Sequence, residues 1–408
     1  MRVLQHAMNE AFTVARSLAG ADTGMTVDTS GTAAGRTDPG SSEQILAGLK
    51  TWVETETPTD DAAAVNRLVD RAEAGLRAAG AAVTRIPGRD GYADNLRARI
   101  GPAEGKGILV AGHLDTVWPM GTLSTMPFRI DGARAHGPGI FDMKAGSYLA
   151  FHAVTSLLAQ KVATKLPVTL LLTPDEEVGS PTSRALIEAE AQGAAYVLIP
   201  EPAGPGGAVV TARKGVGRFV MRIKGVAAHS GGNFQDGRSA VVELAHQILR
   251  INAMVDPARG ITTNVAPISG GTRPNVIAPE AACEIDLRVA TIEDGERMER
   301  AILGLTAVTE GCTVTVTGGM NRPPFAETPP NLALYAQAAA IAERLGLKLP
   351  TQHRGGGSDG NFTAALGVPT LDGLGCTGAG AHADHEHILW QDLSGRAALM
   401  LGLLETLQ

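Results

Sequence analysis

The run Gly112-His113-Leu114-Asp115-Thr116-Val117 constrains this chain more than any other stretch. It follows Ile108-Leu109-Val110-Ala111, a continuous apolar segment of the kind that forms a buried strand. Side chains alternate along a strand with period two, so His113 and Asp115 fall on the same side of its end. A carboxylate beside an imidazole is how proteins fix the orientation of a metal-binding histidine. Alone, His-x-Asp is more often a structural pair. Its weight comes from the ordered series that follows: Phe141-Asp142-Met143-Lys144, Asp175-Glu176-Glu177, Glu201, and a histidine cluster over residues 382–387.

The surrounding pattern predicts an α/β fold. Ser41-x-x-Gln44 reads as a capping box opening a helix to about Glu54, and Ala62 to Ala79 carries Val65, Leu68, Val69, Ala72 and Leu76 on one face. Strands at 108–111, 167–173 and 196–199 then alternate with helices at 144–160 and 181–192. Apolar strands separated by helices indicate a sheet covered on both faces. His113, Asp142, Glu176, Glu177 and Glu201 lie just after strands or in the turns that follow, where open α/β sheets gather their ligands.

The pattern changes near Thr211. Phe219-x-Met221-x-Ile223 alternates with Arg218, Arg222 and Lys224, as in a half-solvated strand. A helix at 239–253, strands at 262–268 and 281–289, a helix at 293–305 and a strand at 313–317 complete a β-α-β-β-α-β order. That is the order of a ferredoxin-like unit, closed by Pro323-Pro324. The expected organisation is a flexible segment 1–40, a first domain from 41–211 and 322–408, and an inserted second domain over 212–321.

Composition narrows the function. A net charge of −7 argues against nucleic acid or an anionic membrane surface as partner. No apolar run reaches the ~18 residues of a membrane span. Residues 1–20 lack the apolar core of a signal peptide. The three cysteines, Cys283, Cys312 and Cys376, are widely spaced and form no C-x-x-C, so a reducing cytoplasm is expected and any metal ligands are His and carboxylate.

The series Gly112-His113-Leu114-Asp115-Thr116-Val117, Gly137-Pro138-Gly139-Ile140-Phe141-Asp142-Met143-Lys144 and Thr173-Pro174-Asp175-Glu176-Glu177-Val178-Gly179-Ser180 resembles the two-zinc carboxypeptidase and deacylase family. That family includes glutamate carboxypeptidase, acetylornithine deacetylase, succinyl-diaminopimelate desuccinylase and aminoacylase. The resemblance covers about 41–408 and is strongest to glutamate carboxypeptidase. It implies a mixed-sheet di-zinc peptidase catalytic domain with an inserted ferredoxin-like α+β lid and dimerisation domain. It also implies two Zn2+, with Co2+ or Mn2+ as substitutes, since carboxylate-rich sites accept several ions. His113 and Glu201 would bind one metal and Glu177 the other, Asp142 would bridge them, and Asp115 would orient His113. Glu176 would be the general base, and the Asp142–Met143 peptide would be cis. Taken alone, Asp175-Glu176-Glu177 is more often a solvated acidic turn; its place after an apolar strand and before Gly179, within this series, reverses that reading. The last ligand falls among three histidines: His382, with Glu386 four residues later, fits best, while His385 and His387 read as surface residues.

The resemblance extends to the substrate. His229, in Gly225-Val226-Ala227-Ala228-His229-Ser230-Gly231, is similar to the lid histidine that stabilises the oxyanion, often from the partner subunit. Asn275, Arg288, and Gly356 and Gly357 in the Gly-rich loop 355–360 match positions that hold the substrate's free carboxylate; a strand salt bridge between Asp286 and Arg288 is the plainer alternative. These features imply a homodimer acting on a small peptide or an N-acyl amino acid and releasing an amino acid. Release of glutamate is one reading and deacylation of the acetylornithine deacetylase or desuccinylase type the other.

Overall fold

The structure is a computed structural model that describes residues 37–408. Most of the segment expected to be flexible, 1–36, lies outside the described residues. Order begins earlier than Ser41: the Thr37 amide donates to Glu405 Oε1 (3.0 Å) and the Asp38 amide to Gln160 Oε1 (2.9 Å).

The first helix, Ser42–Val53, carries the expected reciprocal capping box, with Ser41 and Gln44 each satisfying the other's backbone N–H. The second, Ala62–Ala79, starts on the Asp61 cap and stops at Gly80, whose φ of 97° is the left-handed conformation that ends helices. The first packs against the helices Ala145–Ala159 and Leu393–Thr406, and the second on a six-stranded mixed sheet with spatial order Ala82–Ile86, Asn95–Ile100, Val168–Thr173, Gly107–His113, Ala194–Leu198, Thr370–Leu371. The strands from Val168–Thr173 to Thr370–Leu371 run parallel, and the first two strands add antiparallel.

Burial on both faces follows from the alternation in the central strands. Ile108, Val110, Leu170 and Leu172 point into the large core beneath the helices Ala145–Ala159 and Leu393–Thr406. Leu109, Ala111 and Leu171 point the other way, against Ile187, Ala191 and Phe362. Each stretch therefore has to be apolar at every position, which is why it reads as a continuous run.

A four-stranded antiparallel sheet follows, ordered Thr262–Gly270, Glu280–Val289, Gly215–Lys224, Thr313–Arg322. With the helices Ala240–Asn252 and Ile292–Leu303 it encloses its own apolar cluster around Phe219, Met221, Ile285, Leu287 and Met298. The last strand runs five residues beyond the expected Thr317 and ends at Arg322, after a register shift past Met320. Two further features went unpredicted. One is the hairpin Ala82–Ile86/Asn95–Ile100, whose polar alternation lacks an apolar run. The other is a small sheet of two- and three-residue strands that pairs His387–Leu389 with Arg134–His136. Among the described residues no helix is long and apolar enough to cross a membrane.

Candidate metal centre

His113 is the last residue of the strand Gly107–His113, and its side chain is almost wholly buried. Its Nδ1 lies 3.0 Å from the Asp115 carbonyl and 3.3 Å from Asp115 Oδ1, which turns Nε2 outward from the strand end. Asp115 does more than hold the imidazole. Its carboxylate accepts the Glu176 and Glu177 amides (3.2 and 3.3 Å) and the Thr59 hydroxyl (2.7 Å), so it also fixes the turn bearing both glutamates.

Asp142 sits in the tight turn Ile140–Lys144, just before the helix Ala145–Ala159, and its peptide bond to Met143 is cis. Gly139 enters this turn at φ 68°, and a Cβ there would lie 2.3 Å from Thr116 Cγ2. The turn is clamped by Glu386. This fully buried carboxylate accepts the amides of Gly139, Phe141 and Asp142 (2.8, 2.8 and 3.0 Å) and the Trp118 indole N–H (2.8 Å). Glu386 thereby ties the loop of His382 to the loop of Asp142. His382 itself adopts a left-handed backbone, φ 62°, uncommon for a residue with a Cβ. Glu201 follows the strand Ala194–Leu198. Gly146 packs so closely behind it that a Cβ would overlap the Pro200 carbonyl.

These elements converge on two groups, His113/Asp142/Glu201 and Asp142/Glu177/His382, whose ligand atoms lie within 4.8 Å of one another in each group. Asp142 belongs to both and divides its oxygens between them. Oδ1 is 3.6 Å from His113 Nε2, while Oδ2 is 3.4 Å from His382 Nε2. His113 Nε2 to Glu201 Oε1 is 3.8 Å, and His382 Nε2 to Glu177 Oε2 is 3.2 Å. Two ligands at ~2.1 Å from a tetrahedral ion stand about 3.4 Å apart, so this spacing suits a metal better than hydrogen bonding. The buried His113 Nε2 and Glu177 Oε1 have no hydrogen-bond partner, as expected of atoms reserved for an ion. The donor set, imidazole and carboxylate, is one that zinc accepts.

The electrostatics point the same way. Burial pushes the Glu201 carboxyl well above its ordinary range, with Asp142 and Glu176 adding to the rise. Burial also raises Glu177, against a lowering by His382. Burial alone would lower His113, yet Asp115 and Asp142 hold it well above the usual imidazole value. His382 is raised to about 10 by Asp142 and Glu177. The centre is an excess of buried negative charge, which a divalent cation neutralises.

Glu176 belongs to neither group. Burial raises its carboxyl to about 7, against a lowering by Arg322, whose Nη2 is 2.8 Å from Glu176 Oε1. Arg322 also pairs with Asp359 (2.9 Å), which accepts from Ser180. This network was not anticipated: Arg322 reads in sequence as one more polar position before Pro323-Pro324. The buried bidentate pair Arg213–Asp372 behind the Gly-rich loop was missed for the same reason.

The expected substrate residues make their hydrogen bonds outside the two metal groups. His229 and Asn275 occupy adjoining segments, where the Ser230 amide donates to the Asn275 carbonyl, and His229 Nδ1 accepts the amides of Gly231 and Gly232. No hydrogen bond or ion pair joins His229 or Asn275 to the metal ligands among the described residues. Arg288 is gripped bidentately by Asp286 (2.8 and 2.9 Å) and only approaches the Gly355 carbonyl, at 3.5 Å. The Gly356 and Gly357 carbonyls face Arg213 Nη1, at 3.2 and 3.4 Å.

An α/β sheet bearing two histidine–carboxylate groups that share one aspartate defines a metal-dependent hydrolase with a binuclear centre. The chain belongs to Peptidase family M20/M25/M40, whose profile matches residues 109–406. It is 33% identical over 351 residues to carboxypeptidase G2 of Pseudomonas sp. (strain RS-16), covering 83% of each chain. It is 29% identical over 323 residues to succinyl-diaminopimelate desuccinylase of Verminephrobacter eiseniae, covering 74% of this chain and 79% of that one. Its fold matches the M20 family metallo-carboxypeptidase Sso-CP2 from Sulfolobus solfataricus with a TM-score of 0.69 at 17% identity, over 89% of this chain and 98% of the other.

Proposed function

We propose that the chain is a carboxypeptidase-type amidohydrolase that cleaves the amide bond next to a free α-carboxylate and releases an amino acid. The observation that carries this reading is Glu176: a carboxylate next in sequence to a metal-group member but outside both groups, with Oε1 held by Arg322 at 2.8 Å and Oε2 left for a proton. A general base needs an oxygen within hydrogen-bond reach of the proton it takes, and Oε2 is the oxygen that no protein group holds among the described residues. The similarity to carboxypeptidase G2 supports the carboxypeptidase choice, and the desuccinylase similarity keeps deacylation as a second reading.

His113 and Glu201 would hold one ion, Glu177 and His382 the other, and Asp142 both. Bound there, the ions would polarise the scissile carbonyl and acidify the attacking water. Glu176 Oε2, the oxygen that Arg322 does not hold, takes the proton from that water and hands it to the leaving nitrogen. Asp115 keeps the imidazole and the glutamate turn in register. His229 would steady the oxyanion, and Asn275, Arg288, Gly356 and Gly357 would receive the substrate carboxylate.

In this reading residues 41–211 and 322–408 form the catalytic domain, and 212–321 a ferredoxin-like lid through which two copies dimerise. The exposed Val241, Val242 and Leu249 on one lid helix and Ile268 on the edge strand support that contact surface. The free Cys283, Cys312 and Cys376 support a reducing, cytoplasmic setting.

The test is Glu176→Gln. It is expected to retain both metals and lose at least about 100-fold in kcat on N-acyl-glutamate substrates. Retention of more than a tenth of the turnover would remove Glu176 as the base. Release of glutamate from N-acyl-glutamates, set against deacetylation of acetylornithine and desuccinylation of succinyl-diaminopimelate, separates the two substrate readings.

A further inference from the structure

The geometry points to Arg322 as the residue that positions Glu176, coupling the end of the four-stranded sheet to the reacting centre; the inference rests on the reading of Glu176 as base. Arg322 is the last residue of the strand Thr313–Arg322, and the register shift before it turns its side chain into the protein, where it is 4% exposed. Its neighbour Asn321 docks on the same turn, donating to the Gly179 carbonyl at 3.1 Å and accepting from Arg184 at 3.0 Å.

Both terminal nitrogens of the guanidinium are engaged. Nη1 binds Asp359 Oδ1 at 2.9 Å. Nη2 binds Glu176 Oε1 at 2.8 Å, the Glu176 carbonyl at 3.1 Å and Ser180 Oγ at 3.0 Å. One face lies 4.7 Å from the centre of the Phe362 ring. Gly357 sits against its stem, so close that a Cβ would come within 2.7 Å of Arg322 Cδ. An arginine fixed in this way is not free to swing out to a substrate carboxylate without abandoning Asp359.

Glu176, in turn, is fixed at three points: its amide on Asp115, and its carbonyl and Oε1 on Arg322. Among the described residues only Oε2 lacks a protein partner, so the grip selects which oxygen handles the proton. Lysine cannot reproduce it, because a point-charge ammonium cannot span Asp359 and Glu176 with a planar fork.

The experiment compares Arg322→Ala, Arg322→Lys and wild type, with Glu176→Gln as reference. Arg322→Ala is expected to lose about 100-fold in kcat, the scale of a misplaced catalytic group, and to keep KM within about twofold. Two metals per chain should remain by mass spectrometry, and added guanidinium ion should restore part of kcat. Placed in the Glu176→Gln background, Arg322→Ala should cost nothing further, because the group it positions is already gone. Three results overturn the inference: a raised KM with kcat preserved, which assigns Arg322 to substrate binding; loss of metal along with kcat; or a full additional loss in the Glu176→Gln background. If Arg322→Ala does not fold, Arg322→Lys carries the same kcat-against-KM comparison. Turnover surviving in Glu176→Gln refutes the base itself, whereas an inactive Glu176→Gln beside an unchanged Arg322→Ala refutes only the positioning.

Discussion

Glu386→Gln removes one negative charge from a carboxylate that touches no substrate and no metal, yet the structure assigns it a large effect. Oε1 accepts the Phe141 and Asp142 amides, and Oε2 accepts the Gly139 amide and the Trp118 indole. Whichever way the new amide turns, its NH2 group faces two donors. Two hydrogen bonds to a charged acceptor are lost, at about 1.5–3 kcal/mol each, or about 3–6 kcal/mol together. Burial disfavours the charged form of Glu386, so replacing it with a neutral group offsets part of this and leaves about 2–4 kcal/mol. The loss falls on the turn that aims Asp142 at both metal groups and on the loop that carries His382. Metal affinity is therefore expected to drop about 10- to 100-fold, as for other residues that orient a ligand. The assay is metal retention during titration with a chelator, read by mass spectrometry beside urea denaturation of the metal-free protein. A Glu386→Gln protein that keeps wild-type chelator resistance and wild-type stability would refute the reasoning.

Two further outcomes are expected. His382→Ala should lose one of two metals, while His385→Ala and His387→Ala should keep both; metal analysis after gel filtration decides which histidine is the ligand. Glu243, buried in the helix Ala240–Asn252, should make the stability of its sheet acid-sensitive. Burial acts to raise its carboxyl, but hydrogen bonds from Gln247 (2.5 Å), Thr309 (2.6 Å) and Val308 (3.0 Å) hold it down to about 2. A depressed folded-state pKa contributes stability that is fully present above about 4.5 and is lost as pH falls through about 2. Urea denaturation of wild type and Glu243→Gln should therefore show a gap at pH 6 that narrows below pH ~4.5; a gap that stays constant on acidification would count against it.

The residues readable from sequence are those whose local spacing carries their meaning. Ile108 to Ala111 is apolar at every position because alternate side chains enter different cores, and that run fixed the strand end from which His113 projects. Ser41 and Gln44 mark a helix start because the two caps are reciprocal within one turn. The metal groups were legible as a series since each member follows a strand end or lies in a turn beside one. The hairpin Ala82–Ile86/Asn95–Ile100 was not, because Ala82–Ile86 is an edge strand and Asn95–Ile100 is interrupted by Arg97 and Arg99, so neither forms a continuous apolar run. Glu386 was noticed only as an acidic neighbour of His382, and its clamp on three amides 244–247 residues away has no local signature.

Arg322 shows why the remainder stayed hidden. Its partners are 146 residues upstream and 37 downstream, and they meet only because the strand from Thr313 runs on past its expected end. Removing an arginine from water is costly, and the cost is tolerated where paired carboxylates and hydrogen bonds satisfy the fork. Here those partners include the one glutamate of the centre that neither metal group claims. A charge buried solely for stability has no need to choose that residue, since apolar packing of similar volume often serves as well. The choice of Glu176 makes sense if the position of its free oxygen matters more than the stability of the pair. That is why loss of Arg322 should appear in kcat before it appears in metal content.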